Sequence, residues 1–329
     1  MTQPQMYPLR FEPIYQYRLW GGRRLADILS APLPDSGPIG EAWVLSDRTD
    51  HQSLVANGAL KGQTLGQVME QFREELMGKL SSRFRRFPLL LKFLDAHEML
   101  SVQVHPSGSP SALIPEDDAP KTEAWVVMEA GKGSQIYAGF NPGTTAGSLR
   151  KSLDDGTIAE HLVSVTPKPG DAVFIPAGTV HTLGKDVVVF EVQQNSDITF
   201  RLYDWGHIDP RTKEPRPLQV DKAFACIDFG ASDSGLVAPC VETTSPVERE
   251  RLFDCNAFLL WRDIGKNTFT VGANDEPRVL VGMDGSGHIV HRGTPYLFGK
   301  GDVWLLAAEV GECAFQPGGE VTLLEIAIP

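Results

Sequence analysis

Short apolar runs separated by turns rich in glycine and proline make up most of this chain. Residues 100–105 alternate strictly, so a strand there points Leu100, Val102 and Val104 to one face and Ser101, Gln103 and His105 to the other. With a rise of ~3.3 Å per residue, Gln103 and His105 stand ~6.6 Å apart with parallel side chains, able to converge on one ion. Pro106 ends the run, having no N–H for a ladder. A second extended run, 121–127, places Glu123, Trp125 and Val127 on a common face, while the nearly continuous apolar stretch 88–96 reads as a buried strand. Further strands are expected at 39–46, 135–140, 172–176, 187–193 and 199–205, and beyond residue 225 at 258–261, 279–283, 303–306 and 321–326. Helical spacing appears at 65–80, where Leu65, Val68, Met69, Phe72, Leu76 and Leu80 form one stripe. Two helical turns are expected at 148–153 and 157–163, broken by Asp154-Asp155-Gly156.

This pattern predicts an all-β protein with a few inserted helices. An aromatic lead-in at 7–20 stops at Gly21-Gly22, and 206–219, with Pro210, Pro215 and Pro217 among charged residues, reads as a linker. The expected division is therefore 1–220 and 221–329. One internal echo supports two related modules. Gly170-Asp171-Ala172-Val173-Phe174-Ile175-Pro176-Ala177 resembles Gly301-Asp302-Val303-Trp304-Leu305-Leu306-Ala307-Ala308, and in that register His181 falls opposite Glu312. Chemistry is expected in the first copy alone.

Composition narrows the function. A net charge of −12, with no run of Lys or Arg beyond two, argues against nucleic-acid binding. No apolar stretch reaches eighteen residues, so no membrane span is expected, and the N-terminus lacks the basic start and apolar core of a signal peptide. Cys226, Cys240, Cys255 and Cys313 are widely spaced and read as small buried hydrophobes in a reducing cytosol.

From Gly170 to His181 the chain spells GDxxxxPxGxxH, a recurring cupin signature. Gly170-Asp171 makes a hairpin turn, Pro176 ends the strand, and Gly178 permits the bend that aims His181 into a barrel. With Gln103, His105 and Glu123 this histidine gives two imidazoles and two oxygens, a set that suits Zn²⁺ and tolerates Mn²⁺, Fe²⁺ or Co²⁺. His97, His161, His207, His288 and His291 have no spacing that calls for a metal, and Trp125, Tyr203 and Trp205 read as wall and core.

The segments SVQVHP, KTEAW, GDAVFIPAGTVHTLG and TFRLYDW, preceded by LWGG and GEAWVLSDR, resemble the type I mannose-6-phosphate isomerases, in their short bacterial form, over roughly residues 10–220. That resemblance implies tandem cupin barrels (jelly-roll, double-stranded β-helix) and a cytoplasmic enzyme interconverting mannose 6-phosphate and fructose 6-phosphate. It implies one Zn²⁺ per chain on Gln103, His105, Glu123 and His181, with Arg201 in the active site and Lys121 beside the metal. Aldose–ketose isomerisation moves a proton between C1 and C2 through a cis-enediol, and its demand is to hold negative charge on oxygen. A Lewis-acid metal and a permanently charged guanidinium such as Arg201 meet it. A His or Glu, a metal-bound water, or Lys121 with a lowered pKa could each serve as base, and Lys92, Lys121 and Arg201 could each meet the phosphate. A sugar phosphate is the expected partner, with neither nucleic acid nor membrane, and the oligomeric state is left open, a monomer being one option. The competing readings are an iron-dependent cupin oxygenase or epimerase and a non-catalytic, sugar-binding regulatory cupin.

Overall fold

The apolar runs are strands because both of their faces are covered. In Val187–Gln194, Val188, Phe190 and Val192 pack into one core while Val187 and Val189 pack into another. Leu89–Ala96 does the same, with Leu91 and Phe93 on one side and Leu94 and Ala96 on the other. The computed structural model describes residues 5–34, 36–108, 111–115, 118–231 and 234–329.

A first barrel is built from two packed sheets. The larger runs in the order Gly235–Leu236, Ala172–Ile175, Glu123–Ala130, Val187–Gln194, Leu89–Ala96, Ile14–Gly22, Ile39–Leu45. The smaller runs Leu162–Val165, Ile136–Phe140, His181–Leu183, Val102–Val104, Phe200–Tyr203. Between them lie Trp125, Val127, Val173 and Val189 from the larger sheet and Ile136, Ala138 and Leu183 from the smaller. A second barrel repeats the plan. Its larger sheet includes Val303–Leu306, Arg278–Asp284, Val321–Ala327 and Leu259–Gly265 in that order, and it is faced by a four-stranded sheet centred on Cys313–Pro317 and Ser286–His291. This is the all-β, tandem-barrel architecture expected of the sequence.

The modules interlock across residue 220 in both directions. Leu9 and Arg10 pair with Leu305 and Trp304 of the second barrel, and Leu236 and Gly235 pair with Val173 and Phe174 of the first. The expected helix at 65–80 is broken into Leu65–Gln71, Arg73–Met77 and a 3₁₀ turn Gly78–Leu80, because Phe72 leaves helical geometry at φ −135°. Thr64 and Gln67 form a capping box at its start. The turns expected at 148–153 and 157–163 appear as Ala146–Asp155 and a 3₁₀ turn Ile158–His161. A helix that the pattern did not announce, Val220–Cys226, packs Ala223 and Cys226 against Val104, Phe200 and Leu202. All four cysteines are free, but only Cys226 and Cys313 are buried; Cys240 is exposed and Cys255 half-buried. Among the described residues no helix is long and apolar enough to cross a membrane.

The contact between modules is tight at Gly301. This residue has φ +79°, and a Cβ there would lie 1.9 Å from the carbonyl oxygen of Ile28. Gly133 has a similar φ of +82° but nothing within 4 Å of its missing Cβ. Gly133→Ala should therefore cost only the left-handed backbone penalty, about 1–2 kcal/mol, whereas Gly301→Ala adds a backbone clash and should cost on the order of 3 kcal/mol or more. Urea unfolding of both variants checks this, and equal losses would show that the Gly301 turn is not pressed against the N-terminal helix.

Candidate metal centre

Strand register assembles the expected residues. His181 and Arg201 both pair with Gln103, so the three form a row across adjacent antiparallel strands of the smaller sheet. His105 lies one residue beyond Val102–Val104, where its carbonyl accepts the Gly178 N–H at 2.8 Å, so the bend that delivers His181 is tied to the other histidine. Glu123 opens its strand in the facing sheet, opposite Ile175.

His105, Glu123 and His181 meet in a pocket where none is more than 1% exposed. His105 Nε2 is 3.3 Å from Glu123 Oε2, and His181 Nε2 is 3.2 Å from Glu123 Oε1. One ligand atom from each residue lies within 4.8 Å of the others. The Gln103 amide is 3.2 Å from His181 Nε2, and turning it over presents its oxygen to the same point.

The hydrogen bonds behind the rings show what this pocket wants. His105 Nδ1 faces the Ile198 carbonyl at 2.7 Å and His181 Nδ1 faces the Thr179 carbonyl at 2.9 Å. A carbonyl can only accept, so each Nδ1 carries the proton and each Nε2 presents a lone pair. Those lone pairs point at carboxylate oxygens, which are acceptors too; both Glu123 oxygens are buried, Oε2 meeting the Lys121 ammonium at 2.8 Å and Oε1 having no donor. Protonating the imidazoles is disfavoured. Burial, then the Lys121 charge, pushes His105 down to about 3, and burial lowers His181 as well. Burial would raise Glu123, but Lys121 and the two histidines hold it well below the usual carboxylate range. Lone pairs and carboxylate at this separation call for a cation between them, and a buried N/O donor set of this kind fits a divalent transition metal.

Lys121 sits at the edge of the pocket, its Nζ 2.8 Å from Glu123 Oε2 and 3.2 Å from His105 Nε2. Burial works against its charge, but Glu123 and Glu191 outweigh it and raise its pKa above the ordinary lysine value. That shift runs opposite to the lowered pKa a lysine base would need.

A cavity of about 380 Å³ opens beside the ligands, lined by Gln103, Lys121 and Arg201 among others. Sequence patterning did not mark several of its walls. Arg18 makes a two-pronged contact with Glu41 at 2.8 and 3.1 Å, and Glu41 also accepts from Trp43 Nε1 at 2.7 Å. Burial would raise Glu41, yet Arg18 and Lys92 hold it at about 2. Lys92 lies 3.4 Å from Glu191 and 3.7 Å from Asp197. Arg216 is paired with Asp204. Arg201 differs: its Nε donates to Ser101 Oγ and its Nη1 to the Pro217 carbonyl, each at 3.1 Å, and among the described residues no carboxylate pairs with it. Burial, then Arg216, lowers its pKa.

The stretch read as a linker is instead part of this wall. Asp209 accepts from the Tyr17 hydroxyl at 3.0 Å, Arg211 stacks 3.2 Å above the Tyr17 ring, and both Asp209 and Arg216 line the cavity. Its sequence has charge but no period, so only the nearness of Arg201 could have pointed to it. Among the described residues no second group of three His, Cys, Asp or Glu side chains converges in this way, and His97, His161, His207, His288 and His291 stand outside it.

The model of the phosphomannose isomerase type I catalytic domain matches residues 9–125. The mannose-6-phosphate isomerase ManA of Bacillus subtilis is 35% identical over 313 residues, 93% of this chain and 94% of its own. A mannose-6-phosphate isomerase of Streptococcus mutans is 34% identical over 72% of this chain and 74% of its own. The crystal structure of a mannose 6-phosphate isomerase from B. subtilis superposes with a TM-score of 0.89 and 28% identity, covering 98% of this chain and all of that one. Fold, motif order and identity over nearly the whole length agree, and the chain belongs to the type I phosphomannose isomerase family.

Proposed function

We propose that this chain interconverts mannose 6-phosphate and fructose 6-phosphate, using one zinc ion held by Gln103, His105, Glu123 and His181. The observation that carries the reading is the buried His–Glu–His pocket bordered, at Gln103 and Lys121, by a cavity that also holds Arg201, a guanidinium with no carboxylate partner among the described residues, in a chain of this family. When bound, such a metal polarises the sugar oxygens as a Lewis acid.

The chain's own groups do the rest. Lys121 and Arg201 supply permanent positive charge for oxygens that become negative as the enediol forms, within a cavity walled by protein. Glu191 is the group placed to carry the proton. Its Oε2 accepts from Trp125 Nε1 at 2.8 Å, and its Oε1 is buried without a donor. Burial, then the Glu123 charge, pushes its carboxyl up, the direction a proton-carrying carboxylate needs. The C2 proton leaves to Glu191 and returns at C1, while a hydroxyl proton passes from O2 to O1, so the aldose becomes the ketose with no net change in composition. A sugar-phosphate substrate fits a cytoplasmic enzyme. Nothing in the cavity favours an iron oxygenase or a binding-only cupin.

Glu123→Gln or His105→Ala should remove most of the bound metal and the activity together, read by elemental analysis beside a coupled assay; full activity in a metal-free variant would refute the ligand assignment. Arg201→Ala should keep its metal and lose about 10²-fold or more in kcat; an unchanged kcat would remove Arg201 from the chemistry. Turnover of mannose 6-phosphate in deuterated water should give product with partial solvent label at the exchanging carbon. Glu191→Gln should suppress product and label alike with metal content unchanged, and label entering at the wild-type rate would exclude Glu191 as the proton carrier.

A further inference from the structure

Away from the cavity, the turn after Gly78–Leu80 carries Arg83, Arg85 and Arg86, all exposed, in a chain whose net charge is −12. With Arg48 they line a groove of about 530 Å³ whose apolar wall includes Phe84 and Pro88. Arg48 is paired with Asp118, and Arg83 donates to an oxygen of Pro329, the last residue of the sequence, and stacks 5.1 Å from the Phe84 ring. Arg86 donates to the Thr49 hydroxyl at 2.6 Å, and neither Arg85 nor Arg86 is ion-paired among the described residues. Asp50, the other acid in the groove, is turned to His51 at 3.1 Å. Buried Asp47, close enough to Arg86 to feel its charge, accepts instead from the Phe87 N–H at 2.8 Å and from Gln52 at 2.9 Å.

From this juxtaposition we propose that the groove formed by Arg48, Arg83, Arg85 and Arg86 is a second anion site, separate from the catalytic cavity, that takes a small phosphorylated metabolite through its phosphate. Like charges gathered on one short turn repel one another, and among the described residues that line the groove four arginines outnumber two acids, Asp50 and Asp118, so an anionic ligand relieves the arrangement. A guanidinium fork matches two phosphate oxygens at once, and several forks around one concavity favour phosphate over a monovalent ion. The Phe84 and Pro88 wall gives the carbon skeleton of such a ligand a surface to rest on.

The groove also borders the segment that delivers Lys121 and Glu123. Arg48 grips Asp118 with both nitrogens, at 3.2 and 3.1 Å, and donates to the Asn195 carbonyl at 3.1 Å. Gln194 and Thr122 exchange two hydrogen bonds, at 3.0 and 3.2 Å, one residue before Glu123. A phosphate bound here would thus lie against the chain that enters the metal centre from behind.

Equilibrium dialysis of the metal-loaded protein with radiolabelled inorganic phosphate, at low and at physiological ionic strength, tests the site. The Arg85→Ser/Arg86→Ser double variant should lose a phosphate site that Arg201→Ala retains, with affinity falling about tenfold or more and isomerase activity kept, which shows that the variant is folded. The same phosphate binding in wild type and double variant would overturn the proposal. So would binding that an equal concentration of chloride abolishes, since that marks diffuse attraction without phosphate recognition. The readout is independent of turnover: if the isomerase reading failed, the loss in the double variant would still be seen.

Discussion

A carboxylate facing two imidazole lone pairs is the constraint on which this structure turns. Glu123 meets Nε2 of His105 and of His181 at 3.3 and 3.2 Å because backbone carbonyls have claimed both Nδ1 protons. Left alone, three buried acceptors repel one another, and burial blocks the simple remedy of protonating a ring. The pocket is therefore stable only with positive charge inside it. Lys121 provides part of that at the rim, 2.8 Å from Glu123. The strands supply the rest of the rigidity: His181 is paired to Gln103, and Gly178 is tied to the His105 carbonyl, so neither ring can turn away without breaking a ladder.

The second barrel shows the same frame with the charges rearranged. In the first, Ile175 pairs with Glu123, and Trp125 pairs with Glu191, which pairs in turn with Lys92. In the second, Leu306 pairs with Arg278, and Leu280 pairs with Glu325, which pairs with Trp261. The echo at Gly170 and Gly301 thus extends across three strands: a carboxylate persists at Glu325, but an arginine stands where Glu123 stands. A guanidinium has no lone pair to give a metal. Arg249 and Arg278 instead neutralise Glu325, at 3.1 and 3.6 Å, and Glu312, opposite His181 in the sequence register, is exposed. Asp263 is buried in this cluster beside Glu325, and burial pushes its carboxyl up to about 7. The frame alone does not make a metal centre; the residue types at its interior positions decide.

What the chain reveals before folding follows from how local each signal is. The alternation at 100–105 fixes the side on which Gln103 and His105 lie, and the Gly170–His181 turn fixes a bend, since both rest on neighbouring residues. In the sequence Lys92 stands out only as one of three candidate cations, and Glu191 does not stand out as a wall residue, because both sit in nearly continuous apolar runs, buried on both faces, where no alternation says which way a side chain points. Their meeting depends on strand register between residues a hundred positions apart. Arg216 and Asp209 lie on an aperiodic stretch whose role comes from where it lands. The break at Phe72 was hidden for the opposite reason, since the helical stripe continues through it although the backbone does not.

Charge balance in the cavity then separates sugar recognition from anion recognition. Arg18 with Glu41, Arg216 with Asp204 and Lys121 with Glu123 are matched, and Lys92 faces two carboxylates, Glu191 and Asp197. Matched pairs offer donors and acceptors to hydroxyl groups while attracting no net charge. Arg201 differs: partly buried and close to Arg216, it has no carboxylate partner among the described residues, and the Asp204 charge offsets only part of the cost. An anionic substrate relieves it and a neutral sugar does not. A guanidinium without an ion-pair partner among the described residues, one strand from Gln103 and two from His181, therefore favours ligand oxygens that carry negative charge over neutral ones.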